Sequence, residues 1–549
     1  MHFHPFVRIS FFTMLFLLLA YTNHAQSESF SMTPVGPNYL LDKPWDLSFG
    51  PDGHLWVTER AAGIVLRVNP ETAARDELIK ISDIYSTAGQ DGLLGLALHK
   101  DLLGDHPYVY LSYTHLVQGQ RKQKLVRYTY EISGDNGTLS SPVILIDNLP
   151  ASNDHNSGRL VFGPDEKLYY TIGDQGGNQN SNFCNPILSQ FLPGQEAVDQ
   201  QDWTNYPGKI LRLNTDGSIP EDNPILGGVQ SHIYSYGHRN AQGIVFSNKG
   251  LLYADEHGPN TDDEVNVIYA GRNYGWPNVV GYQDDQAYDY CNWSSANNCA
   301  GLNYSNGSCP SDATFMEESS FVDSNYQEPL FSMFAVSDDY NYNNPACENS
   351  WICRPNVAPS SIGIYESDAI PAWKNSLLVT SLKRGRIYRL ALNEEGTSIE
   401  GDTLQHFYTP NRYRDIVVAP DGKTFYILTD ETGRTSGPSG LTVESNLQNP
   451  GNILKFTLQE TVSVDNPTEE NAFKVWPNPA SHNLYLAFET DPGEDFRAEL
   501  ISTNGKVMRV FNTLSSGVNE IKVEGFSAGV YFLRVSSGAR SWQKRVLLF

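Results

Sequence analysis

The sequence predicts an all-β chain, a six-bladed β-propeller followed by a small C-terminal β-sandwich. Three observations predict it. Aromatic residues make up 12% of the 549 residues and stand beside 45 glycines and 31 prolines, which suits many short strands and turns better than a helical bundle. An apolar pair, a Pro-Asp-Gly-like turn and an alternating strand recur at blade-sized intervals. Beyond Phe456 the composition changes, and a shorter set of alternating strands begins.

Residues 1–25 read as a secretory signal peptide, because Arg8 precedes the apolar run Ile9 to Ala20 and the small Ala25 offers a cleavage point. That run is too short to span a bilayer, and nothing later reaches about 18 apolar residues. The chain is therefore expected to be exported through the periplasm and soluble once cleaved, ending secreted or at the cell surface. The propeller is expected over 26–460. Its repeats are LSFGPDGHLWVTER from Leu47, LALHKDLLGDHPYVYLSY from Leu96, LVFGPDEKLYYTIGD from Leu160, IVFSNKGLLYADEHG from Ile244 and IVVAPDGKTFYILTD from Ile416. A sixth unit, LLVTSLKRGRIYRLAL from Leu377, lacks the turn but keeps the rhythm. A β-sandwich of repeated hairpins is the competing reading of this pattern. Residues 461–472 are polar and acidic and read as a linker. FKVWPNPASHNLYLAF, NGKVMRVF and AGVYFLRVSSG then predict the small sandwich over 473–549.

Charge and cysteine content bound the partners. With 38 basic against 63 acidic residues the formal charge is -25, which argues against nucleic acid or an anionic membrane surface. The six cysteines (Cys184, Cys291, Cys299, Cys309, Cys347 and Cys353) form no Cys-x-x-Cys pair. They suit disulfides in an oxidising compartment, with fifteen pairings open.

Three groups of residues carry candidate chemistry. Asp154-His155 lies in a polar turn leading into a strand, and Asp174 follows the next strand. A neutral imidazole whose far nitrogen is oriented by a carboxylate is a general base, although a His beside an Asp is more often a surface turn. Basic residues are scarce, yet they gather at Lys383-Arg384-Gly385-Arg386 and Arg412-Tyr413-Arg414. Two such loops in an acidic chain suggest an anionic ligand, since Arg holds carboxylates in a bidentate fork and Lys acts as a point charge. Third, Gly258-Pro259 is followed by Asp262, Asp263 and Glu264, with Tyr274, Tyr282 and Asp284 beyond. Such a loop frees backbone carbonyls beside carboxylates, the donor set of Ca²⁺; the competing reading is a solvated acidic loop.

From about Trp45 to Phe456 the chain resembles the soluble, pyrroloquinoline-quinone (PQQ) dependent glucose and sorbosone-type sugar dehydrogenases. GHRN, EHGPN, DDE-N, NYGWPN, SLKRG, NRYRD and DH-SGRLV-GPD-YYTIGDQG carry the likeness in order. The family is a six-bladed propeller that oxidises the anomeric carbon of aldoses to lactones and passes electrons to an external acceptor. The resemblance implies that His155 takes the proton from the anomeric hydroxyl while hydride passes to the quinone, with Asp174 orienting His155. It implies that Gln90, Asp154 and Gln179 hold sugar hydroxyls, and that Lys383, Arg412 and Arg414 hold PQQ. Arg239 and Asn240 would flank the reactive carbonyl.

Carbonyls of Gly258 and Pro259 resemble those of a catalytic Ca²⁺ site. Glu264, Tyr274, Val280, Tyr282, Asp284 and Glu318 resemble a second, structural ion site that supports a homodimer in the family. Cys347–Cys353 resembles the family's short-loop disulfide, and the other four cysteines stay open. The family places a Tyr and a Trp around that disulfide, whereas CENSWICRP puts Trp351 and Arg354 there. Arg354 is expected either to meet the substrate or to face solvent. The segment 473–549 resembles the C-terminal sorting domain of the type IX (Por) secretion system, the alternative being a carbohydrate-binding sandwich. A calcium-dependent lactonase and a non-catalytic sugar-binding propeller are the rival functions; neither needs a tricarboxylate pocket beside a base.

Overall fold

The computed structural model describes residues 28–459 and 473–549, apart from positions 88, 135, 344, 348–349, 438–441, 489–495, 503–505, 513, 515–516 and 538–539. The expected signal peptide and linker lie outside the described residues. The chain is all-β and divides into two compact units between Gln459 and Glu460.

The first unit contains six four-stranded antiparallel sheets. Their first strands are Pro44–Phe49, Leu93–Leu98, Ser157–Phe162, Ala241–Phe246, Pro359–Tyr365 and Tyr413–Val418. Each lies against the first strand of the next sheet, and the sixth lies against the first. Five of the second strands, Leu55–Glu59, Leu168–Ile172, Leu252–Glu256, Ser376–Ser381 and Thr424–Thr429, are buried along their whole length. The reason is packing on both faces. One apolar cluster fills each gap between neighbouring sheets, such as Trp56, Val65, Leu93, Val109 and Val126 between the first and second. Leu47, Val57, Tyr426, Leu428 and Ile453 join the sixth back to the first. The sixth sheet takes its outer strand from the other end of the chain, with Phe30 opposite Leu458 and Pro34 opposite Leu454.

The recurring Asp turn has a local cause. Asp52 Oδ1 accepts from the His54 amide (3.2 Å) and from Trp56 Nε1 (3.1 Å), and Asp52 Oδ2 accepts from Arg67 (3.0 Å). Asp165 does the same for Lys167, Tyr169 and Arg212. Each such turn is therefore bonded to the strands that follow it. The unit expected from Leu377 needs correction in its extent. Its first strand is Pro359–Tyr365, and a single 3₁₀ turn, Pro371–Trp373, replaces the Asp turn before Ser376–Ser381.

Where the six first strands meet, Arg159 is buried among charges. Its guanidinium donates to Asp46 (2.8 Å), Asp415 (2.6 Å), the Gln242 carbonyl (3.0 Å) and the Ser360 carbonyl (3.3 Å). One side chain of the third sheet thus binds the first, fourth, fifth and sixth.

The second unit has a three-stranded sheet and a four-stranded sheet. Phe473, Leu484, Leu486 and Ile521 of the former share one core with Leu500, Leu533, Val535 and Val546 of the latter. Among the described residues no helix is long and apolar enough to cross a membrane.

Candidate active site

Two turns on the third sheet build the centre of the site. His155 precedes the strand Ser157–Phe162, and its backbone adopts a positive φ of 45°, rare for a residue with a Cβ. Gly173 ends the neighbouring strand against it; a Cβ there would lie 2.1 Å from the His155 carbonyl oxygen. This close approach brings Asp174 beneath the imidazole. His155 Nδ1 donates to Asp174 Oδ1 at 2.7 Å, and both residues are buried. With Nδ1 carrying the proton, the lone pair is on Nε2.

Asp174 is itself fixed. The Gly176 amide donates to its Oδ1 (2.8 Å) and Trp276 Nε1 to its Oδ2 (2.9 Å). Trp276 was not singled out from the sequence, although it stands within the quoted NYGWPN motif. The face of its ring lies 5.2 Å from the Arg239 guanidinium. One indole thus positions both the carboxylate and the cation.

The other expected residues of this group converge on His155 Nε2. Gln179 Nε2 stands 3.2 Å from it and 3.2 Å from Asp154 Oδ2. Gln90 Nε2 donates to Asp154 Oδ1 (2.6 Å), and Arg239 donates to Gln179 Oε1 (2.9 Å). Arg239 and Asn240 are aimed by Glu256, which accepts from both of their backbone amides. Glu256 is aligned in turn by His238 (3.0 Å), which stacks on Tyr274. Arg239 Nε and Asn240 Nδ2 are buried donors without a partner among the described residues.

The basic group is a second cluster. Lys383 is buried, and burial lowers its pKa while Asp263 opposes the shift. Its ammonium donates to Asn356 and to the Arg354 carbonyl and lies 5.7 Å from the half-exposed Trp351 ring. Arg414 holds Asp430 in a bidentate pair (2.8 and 2.9 Å), and Arg412 Nε reaches the same carboxylate at 3.1 Å. The field of Arg60 falls on Asp430 as well. Asp430 therefore faces three guanidinium groups.

The third cluster surrounds the acidic loop. Asp263 accepts from the amides of Gly258 (3.0 Å) and Ala358 (3.0 Å), which fixes the backbone turn at Gly258-Pro259. Glu264 accepts from the Gly281 amide (2.7 Å), and Glu318 from the Val280 (2.8 Å) and Asp285 (3.2 Å) amides. Burial, with the negative charge of Asp284 and Asp262 added, pushes Glu318 up to about 8; burial and the Glu256 charge push Glu264 the same way. A carboxyl raised in this way is ionised at neutral pH only when a cation stands beside it. The Tyr274 hydroxyl is committed to Val267 O and the Tyr269 amide, leaving only its carbonyl as a donor. Tyr282 is 36% exposed, and Asp284 caps the Gln286 amide. Among the described residues no three His, Cys, Asp or Glu side chains cluster tightly enough to hold a metal by themselves; the expected ligand sets use backbone oxygens in addition.

Arg354 has a partner that neither expectation named. It is partly buried and donates to the Asn260 side chain, one residue beyond Pro259. The three disulfides are Cys347–Cys353, Cys184–Cys299 and Cys291–Cys309.

A His–carboxylate pair, a buried group of cations and an acidic loop thus gather in one all-β unit. The chain belongs to the glucose/sorbosone dehydrogenase family, whose model matches residues 41–335 and 325–436. It is 45% identical over 445 residues to quinoprotein glucose dehydrogenase B of Acinetobacter calcoaceticus, covering 79% of this chain and 92% of that one. It is also 26% identical to the aldose sugar dehydrogenase YliI of Escherichia coli, over 71% of this chain and 88% of that one. Among solved structures it is similar to the PQQ-bound aldose sugar dehydrogenase of Streptomyces coelicolor, with a TM-score of 0.51, 26% identity and coverage of 79% and 99%. Residues 474–548 match the secretion system C-terminal sorting domain.

Proposed function

We propose that the chain is an exported, PQQ-dependent sugar dehydrogenase that oxidises an aldose at its anomeric carbon to the lactone. In this reading residues 26–460 form a six-bladed propeller carrying the site. Residues 473–549 form a β-sandwich that routes the protein through the type IX machinery to the surface or medium. The observation that carries the reading is the His155–Asp174 pair beside Arg239 and Asn240, whose buried donors Nε and Nδ2 have no protein partner.

Those orphaned donors, with Lys383, Arg412 and Arg414, suit a planar tricarboxylate such as PQQ. The Gly258 and Pro259 carbonyls suit Ca²⁺ beside it. When bound, the quinone accepts a hydride and the ion withdraws electron density from its carbonyl. The residues of the chain handle the proton. Nε2 of His155 takes it from the anomeric hydroxyl, and Asp174 stabilises the resulting imidazolium. Gln179 now occupies the lone pair of Nε2, so its amide turns toward a sugar hydroxyl when substrate enters. Asp154 and Gln90 bind neighbouring hydroxyls and orient the ring. Glu264 and Glu318, with carbonyls of Tyr274, Val280 and Tyr282 and the carboxylate of Asp284, hold a second Ca²⁺ on which a homodimer would form. An external acceptor then removes the electrons.

Reconstituting the purified chain with PQQ and Ca²⁺ and adding aldoses with a dye acceptor tests the reading. Dye reduction that requires quinone, ion and sugar together is expected. Activity that persists after chelation and quinone removal, or none with any aldose, overturns it.

A further inference from the structure

Two disulfides belong to a segment that the proton-handling residues do not include. Residues 269–330 separate the third strand of the fourth sheet, Asp263–Ile268, from its last, Phe331–Met333. Inside this insertion a short hairpin pairs Tyr290–Asn292 with Thr314–Met316. Cys291–Cys309 closes the insertion on itself, and Cys184–Cys299 ties it to the loop that begins at Gln179.

The insertion is fastened on both sides of the site. Asn178, the neighbour of Gln179, holds it twice: its Nδ2 donates to the Cys291 carbonyl (2.8 Å), and its Oδ1 accepts from the Trp293 amide (2.7 Å). At the far end Asn306 Nδ2 donates to Asn260 Oδ1 (3.2 Å), the atom that also receives the Arg354 guanidinium. Between these anchors lies Tyr304, half-buried, its ring 5.7 Å from Phe183 and 5.2 Å from Trp293. Burial raises its hydroxyl pKa, and the charges of Arg239 and Arg354 oppose the shift. The ring thus stands in the field of the guanidinium beside His155 and of the one at the short disulfide loop.

We propose that Tyr304, held by the doubly cross-linked insertion, is a specificity-determining residue that walls the sugar cleft and limits how long a sugar can reach His155. The proposal rests on the sugar dehydrogenase reading. An aromatic face receives the apolar face of a pyranose, and a ring already packed on Phe183 and Trp293 gives up little freedom in doing so. A roof bonded at both the Gln179 and the Asn260 loops holds that ring in place as a sugar enters.

The test uses the full-length chain loaded with PQQ and Ca²⁺, with glucose as monosaccharide and maltose as reducing disaccharide. Quinone absorbance confirms equal loading of every variant. Tyr304→Ala is expected to raise KM for glucose about threefold to tenfold with kcat nearly unchanged, and to raise the maltose-to-glucose ratio of kcat/KM by a similar factor. Tyr304→Phe keeps the ring and is expected to behave as wild type. Unchanged KM and unchanged ratio in Tyr304→Ala overturn the proposal. A wild-type chain that loads quinone yet oxidises neither sugar overturns the dehydrogenase reading instead. Glucose binding followed by tryptophan fluorescence then decides the wall: weaker binding in Tyr304→Ala supports it, while equal binding, or no binding by wild type, overturns it.

Discussion

Arg159 Nη1 lies 2.6 Å from Asp415 Oδ2, joining the third sheet to the sixth across 256 residues of chain. The same nitrogen also reaches Asp46, so one guanidinium neutralises two buried carboxylates where the first strands meet. Replacing it by Met leaves both uncompensated, which costs about 3–5 kcal/mol. Chemical denaturation of Arg159→Met is expected to show that loss; a change below about 1 kcal/mol would mean that the ring is held by apolar packing alone.

Asp255 gives stability a pH dependence. Its Oδ1 accepts from the Gly243 amide (2.6 Å), its Oδ2 has no partner among the described residues, and burial pushes its carboxyl from 3.8 up to about 7. Between about pH 4 and 7 the unfolded chain releases a proton that the folded chain keeps, so this group lowers stability as pH rises and does so fully above 7. Asp255→Asn retains the acceptor for Gly243. It is expected to stabilise the fold at pH 8 by roughly 2–4 kcal/mol relative to wild type, and by little at pH 4. Equal gains at both pH values would show that Asp255 is ionised throughout.

For the base, His155→Ala should load quinone normally and lower kcat by roughly 10² or more. Trp276→Phe removes the indole hydrogen bond to Asp174 while keeping an apolar ring. A smaller loss, about tenfold, is expected. Near-normal kcat in His155→Ala with quinone bound would refute the assigned chemistry.

The fold was legible wherever a turn is local. The Asp52 and Asp165 turns sit within four residues of the aromatic rings they hold, so composition and order suffice. Pro359–Tyr365 was missed as a first strand because Pro371–Trp373 takes the place of an Asp turn. In the site, His155, Asp174 and the basic loops stood out by residue type. Trp276 did not, since its bond to Asp174 spans 102 residues. Spacing could not pair Cys184 with Cys299, 115 residues apart. The destination of Arg354 was hidden likewise, because Asn260 becomes its neighbour only after folding.

The acidic loop predicts a metal-dependent stability. Ca²⁺ at about a hundred times its dissociation constant adds about 2.7 kcal/mol, so melting temperature should rise with Ca²⁺ and fall on chelation. Glu264→Gln with Glu318→Gln should melt at a temperature that Ca²⁺ moves little. A full calcium response in that double variant would locate the ion elsewhere.

Truncation after Gln459 is expected to leave quinone-dependent activity intact, because the six-sheet unit has its own cores. The truncated chain should remain in the periplasm of a host with the type IX machinery. Its appearance in the medium would remove the sorting role from residues 473–549.

Closure of the sixth sheet by Phe30–Pro34 has a consequence for biogenesis. Ser31 is bonded to Thr457, 426 residues later, so one of the earliest strands to leave the ribosome has no partner until almost the whole first unit has been made. Until then both the strand and the vacant margin of the sixth sheet present open backbone donors and acceptors. A contact between the two ends must close the longest loop in the unit, at the entropic cost such loops carry. The first unit therefore locks only once its last strand, Ile453–Leu458, has been made.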